Sequence, residues 1–379
     1  MKKIVIIPDS FKGTMSSRMI GEIIAQEASD CWPGMETVRV EVADGGEGSV
    51  DAFLSVLPGT KHQLTVQGPY GEPIQSFYGQ MGDTAVIEMA AAAGLPLVWE
   101  KLNAGQTSTY GVGQLICHAL ENGARKIILG LGGSATNDGG AGAAAALGVR
   151  FLDSEGKSFV PVGNTLHRIQ HIEMHAAAER LKNVSVVAMC DINNPLCGPQ
   201  GAAAVFGPQK GADPEQVVQL DAGLHHLADV IQRDLGIHVL QLPGGGAAGG
   251  MGAGAAAFFG AALESGIDVV LDTVDFDQML EGCSMVITGE GRIDGQSARG
   301  KVIAGIAQRA QKKNVPLVAI VGDIADGAEQ MYSKGVSAIF SINRVALPFS
   351  EMKHRAPSDL RQTVRNVFRF VKLAKEIQL

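Results

Sequence analysis

Two glycine-rich loops are the segments of this sequence best suited to phosphate chemistry. GLGGSATNDGGAG (130–142) follows the apolar run KIIL and precedes an alanine-rich stretch, so it joins a predicted strand to a predicted helix. That junction presents backbone N–H groups and the positive end of a helix dipole to an anion. VITGEGRIDGQSARGK (286–301) repeats the arrangement, and we expect both loops to bind phosphate groups.

The first loop combines these amides with polar side chains. Its predicted phosphate-binding residues are Gly132, Gly133, Ser134, Ala135, Thr136, Asn137 and Asp138. The spacing from Gly130 also matches the dinucleotide fingerprint G-x-G-x-x-G/A, with Asp153 at a suitable distance downstream. A tight turn capped by Asn137 or Asp138 is the structural alternative.

The second loop resembles a P-loop but departs from it at one essential position. Val302 follows Lys301 where the motif requires a Ser or Thr that binds Mg²⁺, so a true Walker A site is not expected. The predicted phosphate-binding residues here are Gly289, Glu290 and Gly291. Asp294 adds a carboxylate beyond a predicted strand end, where open α/β sheets place ligands. A solvated loop is the alternative.

Other charged residues lie where predicted strands end. Asp44 in ADGGEGS and Asp191 in CDINNP are candidate Mg²⁺ ligands, because Mg²⁺ prefers oxygen ligands. Asp191 is the first choice for the general base of a phosphoryl transfer, followed by Asp44 and Asp294. Lys12 and Lys210 would supply positive charge. Each carboxylate taken alone could instead cap a turn.

Two further spacings have simpler explanations. His167, His171 and His175 fall at intervals of four and could share a helical face that binds zinc, although the segment need not be helical. Three arginines (Arg361, Arg365 and Arg369) repeat the same interval and are interpreted as the solvated face of the last helix.

The composition excludes several classes of protein. The 379 residues include 31 Lys and Arg against 39 Asp and Glu, a net charge of −8, so nucleic acid is not an expected partner. Five scattered cysteines without a CxxC spacing indicate a reducing cytoplasm, and no export signal is expected. The uncharged stretch 244–263 is mostly Gly and Ala, which argues against a membrane span.

The order of predicted elements indicates a discontinuous α/β protein. A βαβα rhythm occupies residues 1–58, antiparallel hairpins follow from about residue 61, and the βα rhythm returns after 282. Neither end supplies enough strands for a covered parallel sheet. We therefore predict one doubly wound, Rossmann-like domain from 1–58 plus 283–379, with a mixed α/β domain, 59–282, inserted into it.

Seven motifs occur together and in order over nearly the whole chain. They are PDSFKG, ADGGEGS, TSTYGVGQLI, GLGGSATNDGGAG, CDINNPLCGPQGAAAVFGPQKGADP, PGGGAAGGMGAG and VITGEGRIDGQSARGK. This set closely resembles the bacterial glycerate kinase family. The resemblance implies transfer of the ATP γ-phosphoryl group to D-glycerate with Mg²⁺, giving 2-phosphoglycerate in organic acid catabolism, in a cleft between a Rossmann-like and an inserted domain. The stretch 343–360 has no counterpart among these motifs.

Two functions from other classes remain open from the residues alone. An NAD(P)-dependent hydroxy-acid dehydrogenase would use the fingerprint and Asp153 but would leave the second loop without a role. A non-enzymatic anion-binding module would use the loops but not the carboxylates. Measuring which nucleotide raises the melting temperature would distinguish these hypotheses, because a ligand at ~100 times its Kd adds ~2.7 kcal/mol of stability. The oligomeric state is not predicted.

Overall fold

The structure is a computed structural model that describes residues 2–42, 45–295, 297 and 302–377. Asp44, one of the predicted catalytic and Mg²⁺-binding residues, lies outside the described residues, as does Lys301 of the P-loop-like segment.

Strands and helices alternate along most of the chain. The strands are β1 (Lys3–Pro8), β2 (Glu36–Arg39), β3 (Thr60–Gln67), β4 (Pro73–Met81), β5 (Thr84–Glu88), β6 (Lys126–Gly130), β7 (Arg150–Leu152), β8 (Ser158–Phe159), β9 (His171–Glu173), β10 (Ser185–Met189), β11 (Ala262–Glu264), β12 (Met285–Gly289), β13 (Arg292–Ile293), β14 (Leu317–Val321), β15 (Asp323–Ile324) and β16 (Val336–Ser341). The α-helices are α1 (Ser17–Cys31), α2 (Ser49–Val56), α3 (Ala90–Ala93), α4 (Tyr110–Glu121), α5 (Ala141–Leu147), α6 (His175–Arg180), α7 (Ala202–Phe206), α8 (Pro214–Leu235), α9 (Ala247–Phe259), α10 (Gly266–Thr273), α11 (Phe276–Met279), α12 (Val302–Lys312) and α13 (Phe349–Glu376). Short 3₁₀ turns cover Leu95–Val98, Gly163–Arg168, Pro208–Lys210 and Ala328–Lys334.

The chain divides into two compact units. The terminal unit contains Met1–Ala43 and Ile267–Leu379, and the central unit contains Asp44–Gly266. Helix α2 packs against β4 and β5 and therefore belongs to the central unit, although it falls within the range 1–58 of the sequence prediction. Helix α11 likewise falls in the terminal unit rather than in the range 59–282.

The terminal unit is built on a parallel sheet that joins both ends of the chain. Its strand order is β16-β14-β12-β1-β2, and neighbouring strands are parallel, with Ile6 of β1 opposite Ile287 of β12. Residues Ile4 to Ile7 are fully buried, which explains the uninterrupted apolar run at the start of the sequence. Helices α1 and α13 pack together, and their Ile20 and Leu360 belong to one core with Ile4.

The central unit contains a mixed sheet in the order β11-β10-β6-β5-β4-β3. Strands β5, β6, β10 and β11 run parallel, whereas β3 pairs antiparallel with β4 and β4 with β5. The antiparallel hairpin predicted for this part of the chain is thereby confirmed. The carboxyl ends of β6 and β10, at Gly130 and Met189, lie side by side because these residues are paired in the register.

The last helix begins earlier than the sequence predicts. The sequence predicts a last helix from Ser358, just after Pro357, because a residue before proline avoids helical geometry; in the structure α13 starts at Phe349 and contains Pro357. Ala356 is buried in the same core as Leu360, so tertiary packing stabilises turns on both sides of the proline. Across the described part of the chain, no helix combines the length and apolar character needed to cross a bilayer.

Candidate functional site

The first glycine-rich loop leaves β6 at Gly130 and enters α5 at Ala141, as predicted. Close backbone packing explains its first glycines. A Cβ on Gly130 would lie 2.4 Å from the Gly45 carbonyl oxygen, and a Cβ on Gly132 would lie 2.6 Å from the Gly46 Cα. These two glycines therefore allow two backbone segments of the central unit to meet, whatever else the loop binds.

A cavity of about 420 Å³ in the central unit opens beside this loop. We call it the central pocket. Three predicted loop residues, Gly132, Gly133 and Ser134, line it, and so do Asp191 and Lys210 from other parts of the sequence. The fold thus brings together five of the predicted site residues around one space.

Lys210 is the buried cation of the central pocket. Its side chain is 2% exposed, and Nζ donates to Ser134 Oγ at 2.8 Å and to the Thr136 carbonyl oxygen at 2.7 Å. Burial lowers the pKa of Lys210 to about 7, although the nearby carboxyl of Asp138 acts in the opposite direction. The Lys210 amine therefore binds a proton readily when an anion enters the pocket, and releases it readily when no anion is present.

The loop amides divide into two groups. The Gly132 N–H donates to the Gly45 carbonyl and the Ala135 N–H donates to the Ala93 carbonyl, so these two predicted phosphate donors are already engaged. The amides of Gly133 and Ser134 donate to no other described residue, and both residues line the central pocket. The available donors are therefore fewer than the sequence indicated.

Asp138 organises the end of the loop rather than lining the pocket. Its fully buried carboxylate accepts hydrogen bonds from the Thr109 N–H and Oγ1, both at 2.8 Å, and from the amides of Gly140 and Gly142. These bonds link the loop to the starts of α4 and α5, which is the structural alternative considered for this residue. Burial raises the pKa of Asp138, against the effect of those hydrogen bonds.

Thr136 and Asn137 are fully buried behind the pocket. The Thr136 hydroxyl and both polar atoms of the Asn137 amide have no hydrogen-bond partner among the described residues. Neither side chain is part of the central pocket lining. Unpartnered buried polar atoms cost free energy, so packing alone does not explain polar side chains at these two positions.

Asp191 lies at the wall of the central pocket, just beyond the end of β10. Its Oδ1 accepts hydrogen bonds from the Gly266 amide at 2.9 Å and from Ser265 Oγ at 3.1 Å. Asp191 therefore has the pocket position predicted for a base or metal ligand, and it also has the capping contacts predicted by the alternative.

A short left-handed turn forms another part of the pocket wall. Ala248, Gly249 and Gly250 have φ values of 55°, 69° and 90°, and Ala248 lines the central pocket. A side chain at Gly249 is excluded, because its Cβ would lie 1.9 Å from the Thr136 carbonyl oxygen. Ala248 is the residue of this turn that indicates a functional site, because a left-handed alanine is strained and such strain concentrates at functional sites.

The terminal unit has its own cavity, of about 270 Å³, at the carboxyl edge of its sheet. Lys12 and Gly291, both predicted site residues, line it. Lys353 and Asn343 also line it, and Asn343 Nδ2 donates to Asp323 Oδ1 at 3.3 Å. The segment 343–360, which matched no motif, therefore forms a wall at the place where open α/β sheets bind ligands.

The remaining predicted residues of the second loop make internal contacts. Gly289 is the last residue of β12, and a Cβ there would lie 2.0 Å from the Ile320 carbonyl oxygen. Glu290 is buried and its Oε1 accepts a hydrogen bond from Ser297 Oγ at 2.6 Å. Asp294 Oδ1 accepts from the Ser297 amide at 3.2 Å. None of the three lines the cavity of this unit.

Two candidate patterns are not supported by the structure. Asp153 caps a hairpin turn, where its Oδ1 accepts from the amides of Glu155 and Lys157, so it has a local role unrelated to a ribose. The three spaced histidines lie in a 3₁₀ turn, in β9 and at the start of α6, and do not share a helical face. Among the described residues no group of three or more His, Cys, Asp or Glu could hold a metal ion.

Several pocket residues were missed by the sequence analysis. Ala248 was missed because nothing in AAGGMG indicates which residue adopts positive φ. Gln209 and Cys190 flank the predicted Lys210 and Asp191 in the sequence and line the same pocket. Lys353 and Asn343 were missed because they fall in the unmatched segment.

Comparisons with known proteins agree on one family. The sequence model of the glycerate kinase family matches residues 4–372. The chain is 43% identical to glycerate kinase of Bacillus subtilis over the full length of both proteins, and 44% identical to glycerate 2-kinase of Escherichia coli over 90% of each. It is also similar to the crystal structure of a protein named as a glycerate kinase 2 from Salmonella typhimurium LT2. That match has a TM-score of 0.88 and 41% identity, and it covers 99% of each chain.

Proposed function

Because this chain belongs to the glycerate kinase family, we propose that it transfers the γ-phosphoryl group of ATP to D-glycerate, giving 2-phosphoglycerate. The dehydrogenase alternative has no support, since Asp153 is a turn residue and the relatives are named as kinases. The insertion of one domain into another, predicted from the βα rhythm as 59–282 within 1–58 plus 283–379, is part of the proposal, with the limits moved to those of the two compact units, Asp44–Gly266 and Met1–Ala43 plus Ile267–Leu379. The shared sheet formed by β1, β2, β12, β14 and β16 supports it.

The observation that carries the proposal is the position of Lys210 in the central pocket. Its Nζ is held by Ser134 Oγ and the Thr136 carbonyl oxygen, next to the Gly133 and Ser134 amides, which donate to no other residue in the described part of the chain. A buried ammonium group beside two free N–H donors is a favourable environment for phosphate oxygens. The group is also poised to accept a proton as the phosphate enters, because its pKa lies at about 7.

The residues present fit a bound Mg²⁺ that is shared with ATP. Mg²⁺ is commonly held by one or two carboxylates together with substrate phosphates, so a dedicated cage of protein ligands is not required. Asp191 provides a carboxylate at the wall of the same pocket as Lys210. Asp44, the second ligand in this proposal, rests on the sequence alone. When bound, the ion would neutralise charge on the β- and γ-phosphates.

In this mechanism the chain contributes mainly position and charge. Lys210 and the amides of Gly133 and Ser134 bind the phosphate groups, and Ser134 orients the lysine through its hydroxyl. Asp191 is positioned by Ser265 and Gly266 and has one of two roles: it accepts the proton of the attacking hydroxyl, or it holds the ion and leaves the proton to another carboxylate.

The terminal unit contributes a second, separate group of proposed site residues. Lys12 is available to a ligand from the cavity that it lines. Glu290 and Asp294 are held through Ser297 and support the second loop, rather than lining that cavity. A cytoplasmic location belongs to the proposal, because the five cysteines are all unpaired.

The direct test is a coupled assay for ADP with Mg-ATP and D-glycerate. The proposal predicts ADP formation that requires both D-glycerate and Mg²⁺. Oxidation of NAD(P)H with a 2-oxo acid, with ATP turnover at background in the presence of D-glycerate, would overturn it. In the same assay, Lys210→Met removes the buried cation of the central pocket. Lys61→Met is its matched control, since Lys61 does not line the pocket and forms an exposed ion pair with Asp51 in the same unit.

A further inference from the structure

The C-terminal helix of the terminal unit carries a second polar cavity, of about 410 Å³. Four arginines line it: Arg361, Arg365 and Arg369 from α13, and Arg344 from the segment that precedes this helix. We call these four residues the arginine site. The three helical arginines are partly or fully exposed, as the sequence interpretation of a solvated face expects, but Arg361 and Arg365 also pair with a buried carboxylate.

That carboxylate belongs to Glu27 of α1, which is 2% exposed. Arg361 Nη1 donates to Glu27 Oε1 at 2.9 Å, and Arg365 donates through Nε at 2.8 Å and through Nη2 at 3.0 Å. A guanidinium group has five N–H donors, so each of these arginines retains donors that Glu27 does not use. Glu27 therefore fixes the orientation of two guanidinium groups without neutralising the whole site.

The other two arginines leave the site with excess positive charge. Within the described ranges, no carboxylate forms an ion pair with Arg344 or Arg369. Asp30 acts on Arg365 only at longer range. The arginine site is consequently positive on a chain whose net charge is −8. Arginine clusters of this kind suit phosphate groups, which guanidinium groups bind in bidentate fashion.

An aromatic cavity of about 520 Å³ adjoins the arginine site. Phe340 and Phe370 line it, and it shares Arg344 and Asn366 with the polar cavity. The ring of Phe370 is 65% exposed, so its face is accessible to a planar ligand. A planar ring placed against Phe370 would share this cavity with Arg344.

We propose that the arginine site and the adjoining aromatic cavity bind a nucleoside diphosphate or triphosphate. The phosphate chain would contact Arg344, Arg369 and the remaining donors of Arg361 and Arg365, and the base would stack on Phe370. This site lies on the terminal unit and shares no residue with the central pocket. It does not depend on the reaction that the protein catalyses.

The test is the number of ADP molecules bound per chain, measured by equilibrium dialysis with the wild-type protein and with Arg344→Gln/Arg369→Gln. Both arginines are exposed and pair with no described carboxylate, so the variant should fold normally, as checked by thermal unfolding. We expect one fewer ADP site in the variant, or roughly 10- to 100-fold weaker binding at that site. Arg39→Gln, which changes an exposed arginine elsewhere in the same unit, should bind as the wild type does.

A second variant tests the base contact. Phe370→Ala should weaken ADP binding at this site and leave binding of pyrophosphate unchanged. Equal ADP stoichiometry and affinity in the wild type and the double arginine variant would overturn the proposal. Equal affinity of the site for pyrophosphate and ADP would overturn its assignment to nucleotides. If the central pocket did not bind ADP, the wild type would bind one molecule and the variant none, which still supports the arginine site.

Discussion

At the residue scale, the central pocket depends on how burial and hydrogen bonding change the properties of single side chains. Lys210 is held in a non-aqueous environment where its charge is costly, and the anion that it is proposed to bind compensates for that cost. Asp138 is equally buried but receives four hydrogen bonds, which link the loop to the starts of α4 and α5.

The lysine yields a pH-dependent prediction. Its folded-state pKa, about 7, lies below the ordinary 10.5, so the unfolded chain and a phosphate-bound pocket both hold the proton more tightly than the free pocket. Nucleotide binding should therefore take up a proton at pH 8, and affinity should fall as pH rises from about 7 toward 10.5.

Titration calorimetry in buffers of different ionisation enthalpy measures this uptake of a proton. Lys210→Met should abolish it, whereas Lys61→Met should retain it; uptake unchanged in Lys210→Met would contradict the assignment.

Substitution of Asp191 tests whether this residue acts as a general base or only as a structural cap. As a positioned base it should contribute ~10²–10⁴-fold to kcat, so Asp191→Asn should lower kcat by that factor while the fold survives. A purely capping role would cost ~1 kcal/mol of stability with nearly normal turnover. Ser265→Ala is the matched control, since it removes one hydrogen bond to Asp191 and keeps the carboxylate. A kcat close to wild type in Asp191→Asn would remove Asp191 from the mechanism.

The sequence identified these residues better than it identified their contacts. Glycine spacing and strand ends indicated Gly133, Ser134 and Asp191, and the need for positive charge indicated Lys210; all four line the central pocket. The sequence could not indicate that the Gly132 and Ala135 amides are engaged, because their acceptors, Gly45 and Ala93, are distant along the chain. Which amides remain available depends on tertiary contacts that no local pattern encodes.

At the element scale, the left-handed turn at the start of α9 is the least expected feature of the pocket wall. Ala248 has φ 55° and ψ 39°, a conformation that costs a non-glycine residue roughly 1 kcal/mol. Ala248→Gly should therefore leave stability unchanged or raise it by up to about 1 kcal/mol. Ala253→Gly, in the helical part of the same element, should lower stability by about 1 kcal/mol. Thermal unfolding of both variants measures the contrast, and equal destabilisation would contradict a strained Ala248.

The packing of α1 against α13 depends on the buried Glu27 and its two arginines. Burial tends to raise the pKa of Glu27, but hydrogen bonds from Arg365 and Arg361 outweigh it and hold this pKa below the ordinary 4.5. The resulting stability is fully present above pH 4.5 and is lost as pH falls through the lowered pKa.

Glu27→Gln should therefore lower the free energy of unfolding by roughly 1–3 kcal/mol at pH 7, since both arginines are partly solvated. The difference from wild type should shrink under acid conditions. Denaturant unfolding at pH 7 and pH 3 provides the comparison, with Glu22→Gln as an exposed control on the same helix. A penalty that stays constant across this range would contradict the ion-pair explanation.

Element types were largely predictable, whereas element limits were not. Continuous apolar runs predicted β1, β12 and β14 because strands buried on both faces carry such runs. The start of α13 was mispredicted because Pro357 is a boundary signal in isolation, while burial of Ala356 overrides it. The wall formed by segment 343–360 was equally inaccessible to prediction, since its residues are placed by packing on the sheet edge.

At the scale of the whole molecule, the chain is a mixed α/β protein of the glycerate kinase family, with its match extending over residues 4–372. The acidic net charge of −8 is no obstacle to anionic substrates, because positive charge is supplied locally by Lys210 in the central pocket and by the four arginines of the arginine site. The central claim is that the protein phosphorylates D-glycerate on its 2-hydroxyl group.

The product of the reaction tests that claim most directly. The protein is incubated with Mg-ATP and D-glycerate, and the proton-coupled ³¹P spectrum of the product is recorded. Phosphate on the 2-position is coupled to a single CH proton and gives a doublet, which is the predicted result, with formation lost when D-glycerate is omitted. A triplet from coupling to the CH₂ group would place the phosphate on the 3-position and contradict the assignment, and the absence of any phosphoglycerate signal would contradict the proposed activity itself.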